Sequence, residues 1–316
     1  MIRLRAPATI ANLGPGFDTF GLAITLYNIF SIEPAETDTV ILSPKTTATV
    51  KTDWLPTSPA DNIFIKAMDR VFETVGQKRP PVSVDIEAHI PLTRGMGSSS
   101  SAVVAGLAAG NLLAGSPLDE ARLLAMAIAI EGHPDNVAPA MLGNVVMCDG
   151  ETSYPFPWPA GWGIMVVIPA YHLLTSTARS VLPPNYSRED VVFNLRKASL
   201  LTWALTHADE DAFRRSLDDK IHQPYRTALI REFEPVKEIA LNTTVNGQSA
   251  FGAVISGSGP TTAVFYPKAI EGELDAAIRA YMATLDGPFE IWKFEADTEG
   301  LRELLPTEQF TATHMG

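Results

Sequence analysis

The chain has 316 residues, is 46% hydrophobic, and carries a formal net charge of -12 from 36 acidic and 24 basic residues. That length exceeds the size at which a single core usually stops growing, so two domains are expected. The acid excess argues against a nucleic-acid or anionic-membrane surface, both of which demand basic patches, so an anionic substrate would need locally placed arginines or backbone N–H groups.

The opening Met-Ile-Arg-Leu-Arg-Ala-Pro has neither a continuous apolar core nor a cleavage pattern, and no signal peptide is expected. Asn12-Leu13-Gly14-Pro15-Gly16-Phe17-Asp18 then packs two glycines and a proline into a tight turn bracketed by an amide and a carboxylate. Val82, Val84 and Ile86 alternate with polar neighbours as a half-buried strand does, ending before Pro91. Ser98 to about Ala114 reads as an Ala/Gly-rich helix able to approach a neighbouring sheet closely. The stretch from Gly95 to Leu118 is uncharged, but four serines, Asn111 and several glycines argue against a membrane span. A second helix is expected with Ser116 as N-cap, Pro117 at its first position, a fully buried interior from Leu123 to Ile130, and Gly132 at its end.

Cys148 is the only cysteine, which excludes an intrachain disulfide or multi-thiolate metal site and fits a reducing compartment such as the cytoplasm. The proline- and aromatic-rich segment Asp149 to Trp162 is a poor helix or central strand and the expected domain junction, giving domains 1–155 and 156–316. Beyond it, Gly163 to Ile168 reads as a buried strand, and Glu189 to Thr206 and Asp211 to Lys220 as helices, the latter with a solvated charged face. Ala253 to Ile255 and Thr262 to Tyr266 read as strands flanking a glycine turn, and Ile270 to Leu285 as an amphipathic helix.

The chemistry concentrates at Pro91-Leu-Thr-Arg-Gly-Met-Gly-Ser-Ser-Ser-Ser101, a glycine turn running into a small-residue helix. The first turn of a helix offers backbone N–H groups without intrahelical acceptors and partial positive charge, which suits phosphate. Neither a Gly-Lys-Ser/Thr nor a third fingerprint glycine follows, so Walker and dinucleotide loops are excluded. Two further clusters join it: Glu131-Gly132-His133-Pro134-Asp135-Asn136, a polar run after an apolar helix, and the glycine turn Ser256-Gly257-Ser258-Gly259-Pro260.

These clusters, in this order, resemble the GHMP small-molecule kinases, and Ala11 to Asp18 with Glu131 to Pro139 resemble the homoserine kinase branch of that superfamily. The resemblance spans Pro7 to about Phe265. It implies an α+β fold, with an N-terminal ribosomal-S5-like domain and a ferredoxin-like C-terminal domain, and transfer of the ATP γ-phosphoryl group to the side-chain hydroxyl of L-homoserine. By match to family positions, Pro91, Arg94, Gly95, Met96, Gly97, Ser98, Ser99 and Ser100 would hold the triphosphate and Asn62 the adenine. Asn12, Asp18, His133, Asn136, Arg179 and Arg226 would form the amino-acid pocket, with Asn136 and Arg179 acting in catalysis. The family also implies a homodimer.

Homoserine carries a carboxylate, an ammonium and a hydroxyl, which fits two arginines and one aspartate. Phosphoryl transfer needs positioning and charge compensation more than covalent help, so direct attack by an oriented hydroxyl is expected, with Asp135 and Thr175 as lesser candidates. Mg2+ would be held by Ser98 and Glu131. Many relatives place an acid two residues earlier, where this chain has Ala129, and two residues turn a side chain about 200° around a helix. A related kinase for another hydroxyl substrate, or a nucleotide-binding protein without turnover, are the alternatives at this point.

Overall fold

A computed structural model describes residues 1–44 and 56–305. Its first half runs β1 (Ile2–Ala11), β2 (Phe20–Pro34), β3 (Thr39–Pro44), α1 (Ile63–Val75), β4 (Val82–Ala88), α2 (Ser98–Leu113), α3 (Glu120–Glu131), α4 (Pro134–Leu142), β5 (Val145–Cys148) and β6 (Ser153–Phe156). The second half runs β7 (Trp162–Pro169), α5 (Thr175–Ser180), α6 (Arg188–His207), α7 (Glu210–Ser216), α8 (Gln223–Arg226), α9 (Phe233–Asn242), β8 (Gly252–Ile255), β9 (Thr262–Pro267), α10 (Glu271–Met282), β10 (Phe289–Phe294) and β11 (Arg302–Glu303).

One sheet has the order β11-β1-β2-β4-β3, with β5 pairing β2 and β6; the other has the order β10-β7-β9-β8. β3 and β4 are parallel, and the crossover that parallel pairing demands is supplied by α1. β4 shows the expected alternation, with Val82, Val84, Ile86 and Ala88 buried. In β7 every residue is buried, because both faces are covered. Ile164, Val166 and Ile168 pack with Leu22 and Phe265, whereas Met165 and Val167 pack with Leu274 and Ile278 of α10. The first of these clusters joins the two sheets, and β11 returns the chain to pair with β1. Among the described residues no helix is long and apolar enough to cross a membrane.

Several local expectations need correction. The glycines of α2 bring it close to helix α1 rather than to a sheet: a Cβ at Gly106 would lie 2.3 Å from the Phe64 carbonyl oxygen. Ser116 is no N-cap. Its φ is +59°, and its N–H closes the end of α2 on the Asn111 carbonyl at 2.7 Å. Asp119 caps α3 instead, accepting from the Arg122 N–H. That helix is buried on one side only, through Leu123, Leu124, Met126 and Ala127, while Ala125 and Ala129 face solvent. Alanine is compatible with either environment, which is why an apolar run misled. α7 stops at Ser216, and the following Asp218-Asp219-Lys220 forms a turn in which the Asp219 side chain is buried. The junction segment contains β6, an edge strand that pairs with β5.

Candidate active site

The turn from Pro91 to Ser101 is held in place by Asn28, by the close packing of its own glycines, and by Arg94. Asn28, buried in the middle of β2, accepts from the His89 and Ile90 amides at 2.9 and 3.0 Å and donates to Ser101 Oγ at 2.9 Å. The Ser101 hydroxyl in turn donates to the Ser98 carbonyl. Gly95 and Gly97 have φ of +72° and +73°, and neither tolerates a Cβ: one at Gly97 would lie 2.0 Å from Thr9 Oγ1, one at Gly95 2.1 Å from the Ser256 carbonyl. The first bond of α2 runs from the Ser101 amide to the Gly97 carbonyl, so the amides of Ser98, Ser99 and Ser100 precede the helical ladder.

Arg94 is the third tie. Its guanidinium donates to the carbonyls of Pro169, Ala170 and Leu92 and to His172 Nδ1, stapling the turn to the end of β7. These bonds leave one guanidinium hydrogen, on Nη2, for any other contact. Asn62 likewise supports the fold, since its Oδ1 caps α1 and its Nδ2 donates to the Pro56 carbonyl, leaving one amide hydrogen for the cavity.

The opposite end of the site is built on the strained loop after β1, where Asn12, Leu13, Gly14 and Asp18 all have positive φ. Asn12 fixes it, donating to the Gly257 carbonyl at 3.0 Å and accepting from the Asp18 amide at 3.1 Å. From α5, Arg179 donates two hydrogen bonds to the Asp18 carboxylate, which raises the arginine's pKa. Arg226, buried at the end of α8, donates to the Gly257 and Ala178 carbonyls, and burial followed by the nearby Arg179 charge lowers its pKa to about 10. Both guanidinium groups lie over the Phe17 ring, at 5.5 and 5.2 Å from its centroid.

At the start of α4, His133 Nδ1 meets the buried Asp135 carboxylate at 2.7 Å, and this bond holds the imidazole pKa above its usual range. Asn136 Oδ1 accepts from Thr9 Oγ1 at 2.7 Å, which leaves the amide NH2 as the group presented to the site. Asp18, His133 and Asp135 place their ligand atoms within 4.8 Å of one another. Within that cluster the Asp18 carboxylate already carries the Arg179 guanidinium.

All these elements face one cavity of about 520 Å³. Every site residue implied by the resemblance lines it, from Asn12, Asp18 and Asn62, through Pro91 and Arg94 to Ser100, to Glu131, His133, Asn136, Arg179 and Arg226. Glu131, the last residue of α3, has a buried Oε1 without a hydrogen-bond partner, in the same cavity as Ser98, whereas Ala129 is exposed to solvent. Thr9, Phe17 and Asn28 were not expected from the sequence to serve the site. A polar side chain inside the apolar runs of β1 and β2 was the available signal for Thr9 and Asn28.

The family model for the GHMP kinases N terminal domain matches residues 62–144, and that for the GHMP kinases C terminal matches residues 201–283. A homoserine kinase of Crocosphaera subtropica is 37% identical over 305 residues, covering 95% of this chain and 96% of that protein. The chain belongs to the homoserine kinase family of the GHMP kinases. Another homoserine kinase, from Trichormus variabilis, is 41% identical over 264 residues, covering 82% of this chain and 84% of that one. The crystal structure of homoserine kinase from Cytophaga hutchinsonii matches with a TM-score of 0.84 at 26% identity, over 96% of this chain and 97% of that chain. A Lactococcus lactis galactokinase shares the fold alone, at a TM-score of 0.70 and 12% identity. The α+β architecture is thus the GHMP kinase fold, and in this homoserine kinase family member the cavity is lined from both matched halves, by Ser98 and by the Arg226 segment.

Proposed function

We propose that the chain transfers the γ-phosphoryl group of ATP to the side-chain hydroxyl of L-homoserine. One observation carries the reading: within one cavity, the amides at the start of α2 that precede the helical ladder face the same space as the Asp18–Arg179 pair and Arg226. An anionic polyphosphate suits the first group and a zwitterionic amino acid the second.

In this reading the amides of Ser98 to Ser100, opened by Gly95 and Gly97, hold the β- and γ-phosphates, and Asn62 lies near the adenine. Arg179 and Arg226 receive the substrate carboxylate. Asp18 receives the ammonium, with His133 and Asn12 beside it. Asn136, its carbonyl oxygen engaged by Thr9, directs its NH2 toward the hydroxyl oxygen that attacks the γ-phosphorus, and so orients the hydroxyl rather than deprotonating it. Arg179 lines the same cavity and, in this reading, offsets charge on the transferred oxygens. A barrier lowered by alignment and charge compensation needs no dedicated base.

Mg2+ fits the residues present, because an orphaned buried carboxylate oxygen on Glu131 shares the cavity with the Ser98 hydroxyl, both of them hard oxygen donors. Bound there, it would neutralise phosphate charge. Placement in the cytoplasm, division of the chain at residues 155/156 and assembly as a homodimer belong to the same reading. The dimer has a candidate contact in the exposed side chains Leu195 and Trp203 of α6.

A coupled ADP-release assay with ATP and Mg2+ tests the activity, offering L-homoserine beside L-threonine, L-serine, mevalonate and galactose. Preference for homoserine is expected. Preference for another compound overturns the substrate, and ATP binding without ADP formation on any of them overturns the kinase.

A further inference from the structure

His222 is fully buried between the two halves of the substrate pocket, directly before α8. Its Nε2 lies 2.8 Å from the Gly14 carbonyl, and its Nδ1 lies 3.3 Å from Arg226 Nη1. A carbonyl only accepts and a guanidinium only donates, so the proton sits on Nε2 and the Nδ1 lone pair faces Arg226. Asp219 does not compete for that proton. Its carboxylate accepts from the amides of Ile221, His222 and Gln223 and stands 3.6 Å from Nε2. Burial holds the imidazole neutral, with its pKa lowered to about 4. The ring also stacks on Phe17, the aromatic face over which Arg179 and Arg226 lie.

Arg226 is thereby held at three points: Nε on the Ala178 carbonyl, and Nη1 on the Gly257 carbonyl and the imidazole. Two of these are carbonyls that fix where the guanidinium sits. The imidazole is the contact that ties its orientation by a side chain directly to the loop bearing Asp18, through Gly14, beside the longer path through the Gly257 carbonyl and Asn12. We propose that His222 is a positioning residue for substrate recognition, which sets the Arg226 guanidinium against the homoserine carboxylate and locks it to the loop that receives the ammonium. This rests on the kinase reading of the cavity and deepens it.

Two conservative variants separate the two ends of the ring. His222→Asn keeps an acceptor near the Nδ1 position; His222→Gln keeps a donor near the Nε2 position but removes the acceptor for Arg226. The wild type and both variants are compared in kcat and in KM for L-homoserine and ATP. Selectivity is measured against 3-aminopropan-1-ol, which is homoserine without its carboxylate. His222→Gln is expected to raise the homoserine KM about tenfold, the scale of a lost hydrogen bond to a charged group, and to lower the preference over the aminoalcohol by the same factor. The ATP KM is expected to stay constant, and His222→Asn to retain most of the preference. An unchanged preference in His222→Gln, or equal losses on both substrates, overturns the proposal.

The Arg226 guanidinium N–H signals give a readout that does not depend on turnover. Their exchange with solvent is expected to be faster in His222→Gln than in His222→Asn, and equal rates overturn the positioning role. A wild-type protein that fails to phosphorylate homoserine instead overturns the kinase reading, and the exchange measurement still decides this one.

Discussion

Arg179 holds Asp18 through two hydrogen bonds, 2.7 Å from Nη2 to Oδ1 and 3.0 Å from Nη1 to Oδ2. Both side chains remain about one-third exposed, at 38% and 35%. An ion pair so open contributes only about 0–1 kcal/mol to stability, yet its two charges are those a zwitterionic amino acid needs in mirror image. Asp18→Asn is therefore expected to leave the melting temperature nearly unchanged while raising the homoserine KM by about 10-fold or more, the cost of losing a charge-assisted hydrogen bond. Steady-state kinetics with each substrate varied in turn checks this, and a parallel rise in the ATP KM counts against it.

Gly97 and Gly132 both sit in the left-handed region, at φ +73° and +86°, but only Gly97 has close neighbours for a Cβ. Gly132→Ala carries the backbone strain alone, about 1 kcal/mol. Gly97→Ala adds a collision with Thr9 Oγ1, the hydroxyl that also orients Asn136. The expected outcome is a larger fall in melting temperature for Gly97→Ala, by about 1–3 kcal/mol of added strain, together with a raised ATP KM. Differential scanning calorimetry and kinetics on the two variants measure the contrast.

What was legible in the sequence was local. A glycine turn before a small-residue helix and an amide and a carboxylate bracketing a tight loop carry their meaning within a few residues, whereas Arg179 and Arg226 are assigned only through the family resemblance. The supports were less legible because they act across the chain. Asn28 braces His89 and Ile90 from 61 and 62 residues away, and Asn12 reaches Gly257 across 245. Local capping was ambiguous for a related reason. Ser116 and Asp119 both have side chains that cap helices, and only the return of the Ser116 amide to Asn111 assigns it to the end of α2.

Glu131 is expected to belong to the Mg2+ site, since its Oε1 is buried in the cavity without a partner. Glu131→Ala should raise the Mg2+ concentration for half-maximal rate by at least about tenfold, the scale on which even supporting groups of metal sites act. A magnesium titration of wild type and variant decides it. An unchanged requirement removes Glu131 from the site.

The His133–Asp135 pair predicts a pH dependence with a definite sign. The hydrogen bond to Asp135 raises the His133 pKa above its unfolded value of about 6.5. The stability this supplies is complete below that unfolded value and is lost as pH rises through the folded pKa. NMR titration of the His133 ring is expected to show the raised value in wild type and a fall in Asp135→Asn, where the carboxylate charge is gone. An identical midpoint in both proteins excludes Asp135 as the cause.

Asn28 makes three hydrogen bonds that no neighbouring side chain duplicates: two accepted from backbone amides at the end of β4 and one donated to Ser101. Removing it leaves polar groups at the wall of the cavity without partners, at about 1–3 kcal/mol for each group that water fails to reach. Asn28→Ala is expected to lower stability by about 2–4 kcal/mol on that basis and to raise the ATP KM, because the phosphate turn and the start of α2 lose their common brace. Asn28→Asp separates the two effects. It preserves the acceptor for His89 and Ile90 but replaces the donor to Ser101 by a negative charge beside the phosphate turn, so ATP affinity should fall further than stability. Chemical denaturation and ATP titration of both variants test this, and an ATP KM that stays at the wild-type value in Asn28→Asp shows that the brace does not set the turn.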